Sequence, residues 1–444
     1  MTRPSVSIIT LGCARNEVDS EELAADLAED GWELVEDPQA ADTVLVNTCG
    51  FIDAAKKDSI DTVLAASELP GKVVAVGCLA QRYGTELAAS LPEADAVLGF
   101  DAYPELPKTL RRIVTGAHVE SHTPHDRRRL QPSAPNQRSA DLAVLPGHIG
   151  MRRRLTEGPV ASVKLASGCD RRCSFCAIPS FRGSFVSRRP TDIANEVSWL
   201  VDSGVREVNL VSENSTSYGK DFGDLRLLEA LLEDLAQTPH LERVRVAYLQ
   251  PAEMRPELVR IIGSTVGVAP YFDLSFQHAS PSVLRRMRRF GGIDDFLRLI
   301  DQIRDLNPAA AIRSNFIVGF PGETAADFDT LVDFLNRAQL DAIGVFGYSD
   351  EQGTEATGFA DHVDVDEIDL RVDELASIAE EVMSQRAAAR VGESVRLVVA
   401  AGKTQFQGPE DGSTRLVAAT DREVVVARIV GSQGADLLAR ALDE

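Results

Sequence analysis

Six cysteines are the residues through which this chain could do chemistry, and their placement is uneven. Cys169, Cys173 and Cys176 stand with three and two residues between them in SGCDRRCSFCAIP. Three thiolates on one short loop suit a 4Fe-4S cluster with one iron left open, and an open iron can bind a substrate. The competing use is a structural zinc knuckle, which needs a fourth ligand from far along the chain, such as His278 or His148. The spacing is unlike the paired CxxC motifs of a zinc ribbon. Cys13, Cys49 and Cys78 are scattered, yet each directly follows an apolar run: VSIITLG, TVLVNT and KVVAVG. If those runs are neighbouring parallel strands, their thiols meet at the carboxyl end of one sheet, where open α/β sheets place ligands. The alternative is three buried core cysteines acting as small hydrophobes, but chance rarely sets every cysteine of a domain at the same end of successive strands.

The elements that must position these groups follow from periodicity. Between the three apolar runs lie EVDSEELAADLAED and AAKKDSIDTVLAASEL, long enough to cross back over a sheet. Residues 1–116 therefore read as a parallel α/β domain. Residues 117–158 lose the apolar rhythm to proline, serine and arginine and read as a linker. From residue 159 the alternation resumes, with strands at ASVKLAS, EVNLVS, RVRVAYL, YFDLSFQ, IRSNFIVGF and AIGVFGY and helices after the first five. In DIANEVSWLVDSG, Ile193, Val197, Leu200 and Val201 share one helix face that packs on a sheet. Six such units over 159–387 fit an open (β/α)6 barrel better than the eight-unit form, which needs about 250 residues. Residues 388–444 hold short β-rich runs with turns between them, a small all-β domain.

Composition bounds the function. At 444 residues, 44% hydrophobic and 26% charged, the chain is an ordinary soluble globular protein of two to four domains. Acids outnumber bases 68 to 46, a net charge of -22, which disfavours non-specific nucleic-acid binding and suits a basic protein partner. No apolar run approaches the ~18 residues of a membrane span, and the opening lacks a leader-like segment, so a cytoplasmic location is expected. Six cysteines in such a chain point to metal ligation or catalysis, not a disulfide framework.

The loop CDRRCSFC resembles the cluster loop of radical S-adenosylmethionine (SAM) enzymes. With TLGCARNEVDSE, VNTCGFI and VGCLAQRY upstream, nearly the whole chain resembles the methylthiotransferase family of that class. The resemblance implies an N-terminal three-cysteine domain, a radical SAM barrel and a C-terminal TRAM-like domain. It implies two 4Fe-4S clusters, one on Cys169, Cys173 and Cys176 that binds and reductively cleaves SAM, and one on Cys13, Cys49 and Cys78 that carries the sulfur to be inserted. The cofactors supply the hard chemistry and the protein supplies position. Cosubstrate contacts implied in the same way are Phe175 beside the adenine, Glu213 and Asn214 after the second barrel strand, Arg313 on the fifth, and Glu323 closing IVGFPGE. His278 in FQHAS is either a substrate contact or a satisfied structural histidine.

Of two family branches, one modifies adenosine in transfer RNA and the other an aspartate of small-subunit ribosomal protein S-twelve. CDRRCSFCAIP, PYFDLSFQHAS and YSDEQGT resemble the ribosomal-protein branch, and Glu351, Gln352, Gly353 and Thr354 stand where the transfer-RNA branch tends to carry RPGT. Residues 391–444 hold six bases and eight acids, a net of -2, so the tail is no electrostatic RNA clamp. Arg285–Arg289, in RRMRR, read as an RNA contact or a solvated helix face. The expected partners are ribosomal protein S-twelve, free or in the small subunit, a reducing electron donor and a sulfur donor. No membrane and no strong nucleic-acid binding are expected.

Overall fold

The computed structural model describes residues 3–129, 152–400, 403–404 and 414–442. The middle of the linker, with His148, therefore lies outside the described residues. The chain divides into two compact units. The first takes residues 1–157 together with 166–171 and 177–188; the second takes 158–165, 172–176 and 189–444.

The first unit is built on five parallel strands: β1 (Ser5–Thr10), β2 (Glu33–Leu34), β3 (Thr43–Thr48), β4 (Lys72–Val76) and β5 (Ala96–Val97). They lie in the order β2-β1-β3-β4-β5. The three apolar runs that end in cysteine are thus β1, β3 and β4, side by side in the sheet centre. Their registers pair Thr10 with Asn47 and Asn47 with Val76, which levels the three carboxyl ends. Helices α1 (Ala14–Glu29), α2 (Asp53–Ser67), α3 (Gly77–Ser90) and α4 (Leu106–Val114) cover the sheet. Val6, Leu45, Val74 and Val76 pack on one face with Leu23, Leu27 and Leu110, while Val44, Val46, Val73 and Ala75 pack on the other with Val63 and Leu87. Burial on both faces explains why the central runs β3 and β4 are apolar-rich and not alternating. The unit also holds a short antiparallel pair, β7 (Ala166–Ser167) and β8 (Val186–Ser187), and the helix α5 (Ile178–Arg182).

The second unit carries the six expected barrel strands, β6 (Val160–Lys164), β9 (Glu207–Val211), β10 (Arg243–Val246), β11 (Tyr271–Asp273), β12 (Ala311–Val318) and β13 (Ala342–Gly347). They form two parallel runs, β6-β9-β10 and β11-β12-β13, joined by single parallel bridges between Val244 and Val268 and between Leu249 and Leu274. Chain order is therefore spatial order, as in an open (β/α)6 barrel. Outer helices are α6 (Pro190–Asp202), α7 (Leu227–Leu235), α8 (Pro256–Ser264), α9 (Pro281–Arg286), α10 (Ile293–Leu306) and α11 (Ala325–Ala338). Ile193, Val197, Leu200 and Val201 of α6 are all buried, as their spacing requires.

The acidic stretch after the last strand is α12 (Val365–Ala389), which carries Arg386 within 2.9 Å of the Asp341 carboxylate at the start of β13. It leads to a closed ring of five strands, β14 (Ser394–Ala400), β15 (Lys403–Thr404), β16 (Thr414–Leu416), β17 (Val424–Gln433) and β18 (Asp436–Ala441), ordered β14-β15-β16-β18-β17. The tail is thus a complete small barrel whose interior is Val395, Leu397, Leu416, Val425, Ala427, Ile429, Leu437 and Ala439. Among the described residues, closure leaves no free sheet edge in this barrel. Among the described residues no helix is long and apolar enough to cross a membrane.

Candidate functional site: a three-cysteine centre and a barrel-mouth loop

Each cysteine of the first unit is joined to a glycine, and those glycines let three strand ends close on one another. Gly12 and Gly77 adopt φ of +93° and +89°, the region that favours glycine. A β-carbon on Gly12 would stand 2.8 Å from both the β-carbon and the sulfur of Cys49, and one on Gly77 would stand 2.2 Å from Asn47 Oδ1. One on Gly50 would stand 2.9 Å from the backbone of Leu79. The pattern Gly-Cys, Cys-Gly, Gly-Cys is therefore a steric requirement for bringing Cys13, Cys49 and Cys78 to one place.

Two helices add a favourable field. Cys13 is the N-cap of α1, and Cys78 lies in the first turn of α3, so both sulfurs sit where unsatisfied N–H groups and the helix dipole favour negative charge. Asn16 stitches the site from the same turn, donating to Leu11 O at 2.9 Å and to Thr48 O at 3.2 Å. Cys49 is held by Ser59, whose hydroxyl accepts from its N–H at 2.9 Å and donates to its carbonyl at 3.0 Å.

The three thiols feel different surroundings. Burial, the largest influence on Cys13, would raise its pKa, but Arg15 and Arg182 together hold it below the ordinary thiol value. Burial prevails at Cys49 and pushes it up, and it carries Cys78 up to about 12 against the pull of Arg182. All six cysteines are free of disulfides. The donor set fits a multi-iron cluster better than a single ion. Zinc bonds of about 2.3 Å would draw thiolates to about 4 Å from one another. Among the described residues Asp101, His122 and His125 form the one group of three or more His, Cys, Asp or Glu whose ligand atoms all lie within 4.8 Å of one another. That trio is already engaged: Asp101 pairs with Arg127 at 2.5 Å, and the Gln81 amide faces His122 Nε2 at 2.9 Å.

Sequence reasoning did not find Arg182. It ends α5, six residues after Cys176, and is 2% exposed. Its Nη2 donates to Cys78 Sγ at 3.1 Å, to Asn16 Oδ1 at 2.9 Å and to Asp19 Oδ2 at 3.0 Å, while the guanidinium lies 5.3 Å from the Phe100 ring centre. Asn16 and Asp19 follow Cys13 by three and six residues, one helical face that also went unread.

In the second unit, Ser174 anchors the loop of Cys173 and Cys176 in the barrel mouth. Its N–H donates to Met287 O at 3.3 Å, its hydroxyl to Arg286 O at 2.7 Å, and its carbonyl accepts from Ala356 N at 2.9 Å. Phe175 packs edge-on against Phe320, ring centres 6.5 Å apart, beside Val283 and Met287. RRMRR is not a uniform face: Arg285, Arg286 and Arg288 are exposed, whereas Arg289 is buried with Nη1 3.7 Å from Cys173 Sγ.

The remaining implied contacts lie at carboxyl ends of barrel strands or on them, already tied to neighbours. Glu213 is half-buried after β9. Asn214 donates to Ser217 Oγ at 2.8 Å and to Glu253 at 3.2 Å, and its Oδ1 accepts from Thr216. Arg313 pairs with Asp273 at 3.2 Å. Glu323 is withdrawn inside: its carboxylate accepts from Gly319 N at 2.9 Å, Phe320 N at 3.3 Å and Arg371 Nη1 at 2.7 Å. His278 is fully buried. Its Nδ1 accepts from Ser280 N, so the ring proton sits on Nε2, 3.5 Å from Glu323. Burial would raise the Glu323 pKa, but His278, Arg371 and the Gly319 N–H hold it low.

An open six-stranded parallel barrel whose first strand feeds a CxxxCxxC loop defines a radical SAM enzyme, a class that uses a 4Fe-4S cluster with SAM. The radical SAM superfamily model matches residues 163–335, and the uncharacterized protein family UPF0004 matches residues 5–99. The fold resembles that of the radical SAM methyltransferase TsrM from Kitasatospora setae (TM-score 0.56, 15% identity, 80% of this chain and 74% of that one). Sequence similarity goes further. A ribosomal protein uS12 methylthiotransferase RimO from a Nocardioides species is 59% identical over 99% of this chain and 97% of its own length; one from Streptomyces coelicolor is 56% identical over 99% and 97%. The chain belongs to the ribosomal protein uS12 methylthiotransferase family.

Proposed function

We propose that this chain inserts sulfur and adds a methyl group at the β-carbon of an aspartate side chain of ribosomal protein uS12, using two 4Fe-4S clusters and SAM. The observation that carries the second cluster is the convergence of Cys13, Cys49 and Cys78, three thiols close enough to feel one another's charge, two of them at helix N-termini.

With both clusters bound, the chemistry available is reductive cleavage of SAM at one and sulfur delivery at the other. Cys169, Cys173 and Cys176 would hold the first, and Cys13, Cys49 and Cys78 the second, each triad leaving one iron for an exogenous ligand. Phe175, Glu213, Asn214 and Arg313 would border the cosubstrate. Glu323 would act through the turn it holds, since its oxygens are spent on Gly319, Phe320 and Arg371. A reducing electron donor and a sulfur donor complete the reaction. A ribosomal substrate implies a cytoplasmic site of action.

The test offers the reconstituted enzyme uS12, free and in the small subunit, alongside transfer RNA under anaerobic, reducing conditions. The expected product is uS12 heavier by about 46 Da, one sulfur and one methylene. Methylthioadenosine in the RNA digest with unmodified uS12 would overturn the substrate while leaving the chemistry standing.

A further inference from the structure

Burying a guanidinium is costly unless charge and hydrogen bonds compensate it. Arg182 pairs with the Asp19 carboxylate at 3.0 Å and points the same Nη2 at the sulfur of Cys78 and at a neutral amide. The guanidinium lies against one of three thiols that carry negative charge once they ligate metal. An arginine kept only to pin α5 to α1 would not need to aim an N–H at a cysteine sulfur.

Resting on the two-cluster reading above, we propose that Arg182 is a positioning and charge-compensating residue of the Cys13, Cys49 and Cys78 centre. It donates to the sulfur of Cys78 when that sulfur ligates iron, and Asp19 and Asn16 aim it. N–H···S bonds and nearby positive charge stabilise the reduced cluster, whose net charge is more negative, and so raise its potential. Asp19 tempers that effect, being 1% exposed and ion-paired to the same guanidinium. The assignment therefore predicts opposite signs for two neighbouring substitutions. Removing the cation makes the cluster harder to reduce; removing the anion makes it easier.

The experiment uses the full chain carrying Cys169→Ala, Cys173→Ala and Cys176→Ala, in which only the N-terminal cluster remains, and follows its reduction by EPR during a redox titration. Arg182→Gln should lower the reduced-to-oxidised ratio at fixed potential by about tenfold, equivalent to about 59 mV for one electron. Asp19→Asn should raise it, and Arg182→Lys should recover part of the loss. A merely structural role moves cluster occupancy without this pair of opposite shifts. If Arg182→Gln does not retain iron, Asp19→Asn decides alone: an unchanged or lowered ratio overturns the assignment. Unmoved ratios in all variants with normal iron overturn it equally. If the parent background holds no iron, the two-cluster reading itself fails, and the role of Arg182 falls with it.

Discussion

Gly12 and Cys49 touch so closely that a β-carbon on Gly12 would meet the Cys49 sulfur at 2.8 Å. The residue also holds φ at +93°, which costs an L side chain about 1–2 kcal/mol before any collision. Gly12→Ala should therefore displace Cys49 and empty the N-terminal centre. Reconstituted protein should fall from about eight irons to about four while the barrel cluster persists. Full iron content in Gly12→Ala would show that the glycine is not a packing requirement of this centre.

The two triads should be separable. Cys169→Ala, Cys173→Ala and Cys176→Ala together should remove about four irons and all production of 5'-deoxyadenosine from SAM. Cys13→Ala, Cys49→Ala and Cys78→Ala together should also remove about four, spare 5'-deoxyadenosine and abolish sulfur insertion. Loss of SAM cleavage in the second variant, with its barrel cluster intact, would mean that the roles are assigned wrongly.

Glu323 should matter to stability with a definite pH sign. Its folded pKa is depressed, so its contribution is present above the unfolded value of about 4.3 and is lost as pH falls through the folded value. Glu323→Gln takes the buried carboxylate away from the His278 Nε2–H and from Arg371, which keeps its pair with Glu367, at a cost of about 3 kcal/mol near neutral pH. Denaturant unfolding of the iron-free chain checks this. The gap between parent and variant should narrow below about pH 4, and a gap independent of pH would remove the charge from the explanation.

Substrate modification should be sensitive to salt. A chain of net charge -22 attracts a basic ribosomal protein chiefly by accelerating encounter. The rate constant at limiting substrate should drop as ionic strength rises from 0.01 to 0.15 M, where the Debye length falls from about 30 to about 8 Å. The rate at saturating substrate should change little. Equal salt dependence of both would point to chemistry or folding instead of steering.

Much of this molecule was legible in one dimension, because its signals are local. Strands at the centre of a covered sheet are apolar-rich, so β3 and β4 announce themselves, β1 and the six barrel strands show as short apolar-rich runs, and Ile193, Val197, Leu200 and Val201 mark a buried helix face. The cluster loop is a spacing within eight residues, and the small barrel shows as short β-rich runs. Cys13, Cys49 and Cys78 could be grouped only because parallel strands have a common end. What the tertiary structure decided are contacts across long stretches of chain. Arg182 and Cys78 are 104 positions apart, Arg289 and Cys173 are 116 apart, and Glu323 and Arg371 are 48 apart. No propensity or periodicity encodes such pairs. The run RRMRR reads as one charged patch, yet the turn of the chain sends Arg289 inward to a sulfur and Arg285, Arg286 and Arg288 outward. Glu323 follows a glycine-rich turn in sequence, and only the fold shows its carboxylate spent on backbone N–H groups and Arg371. Ligand identity is written in residue type and spacing, whereas the charges that surround those ligands depend on which distant segments the packing brings together.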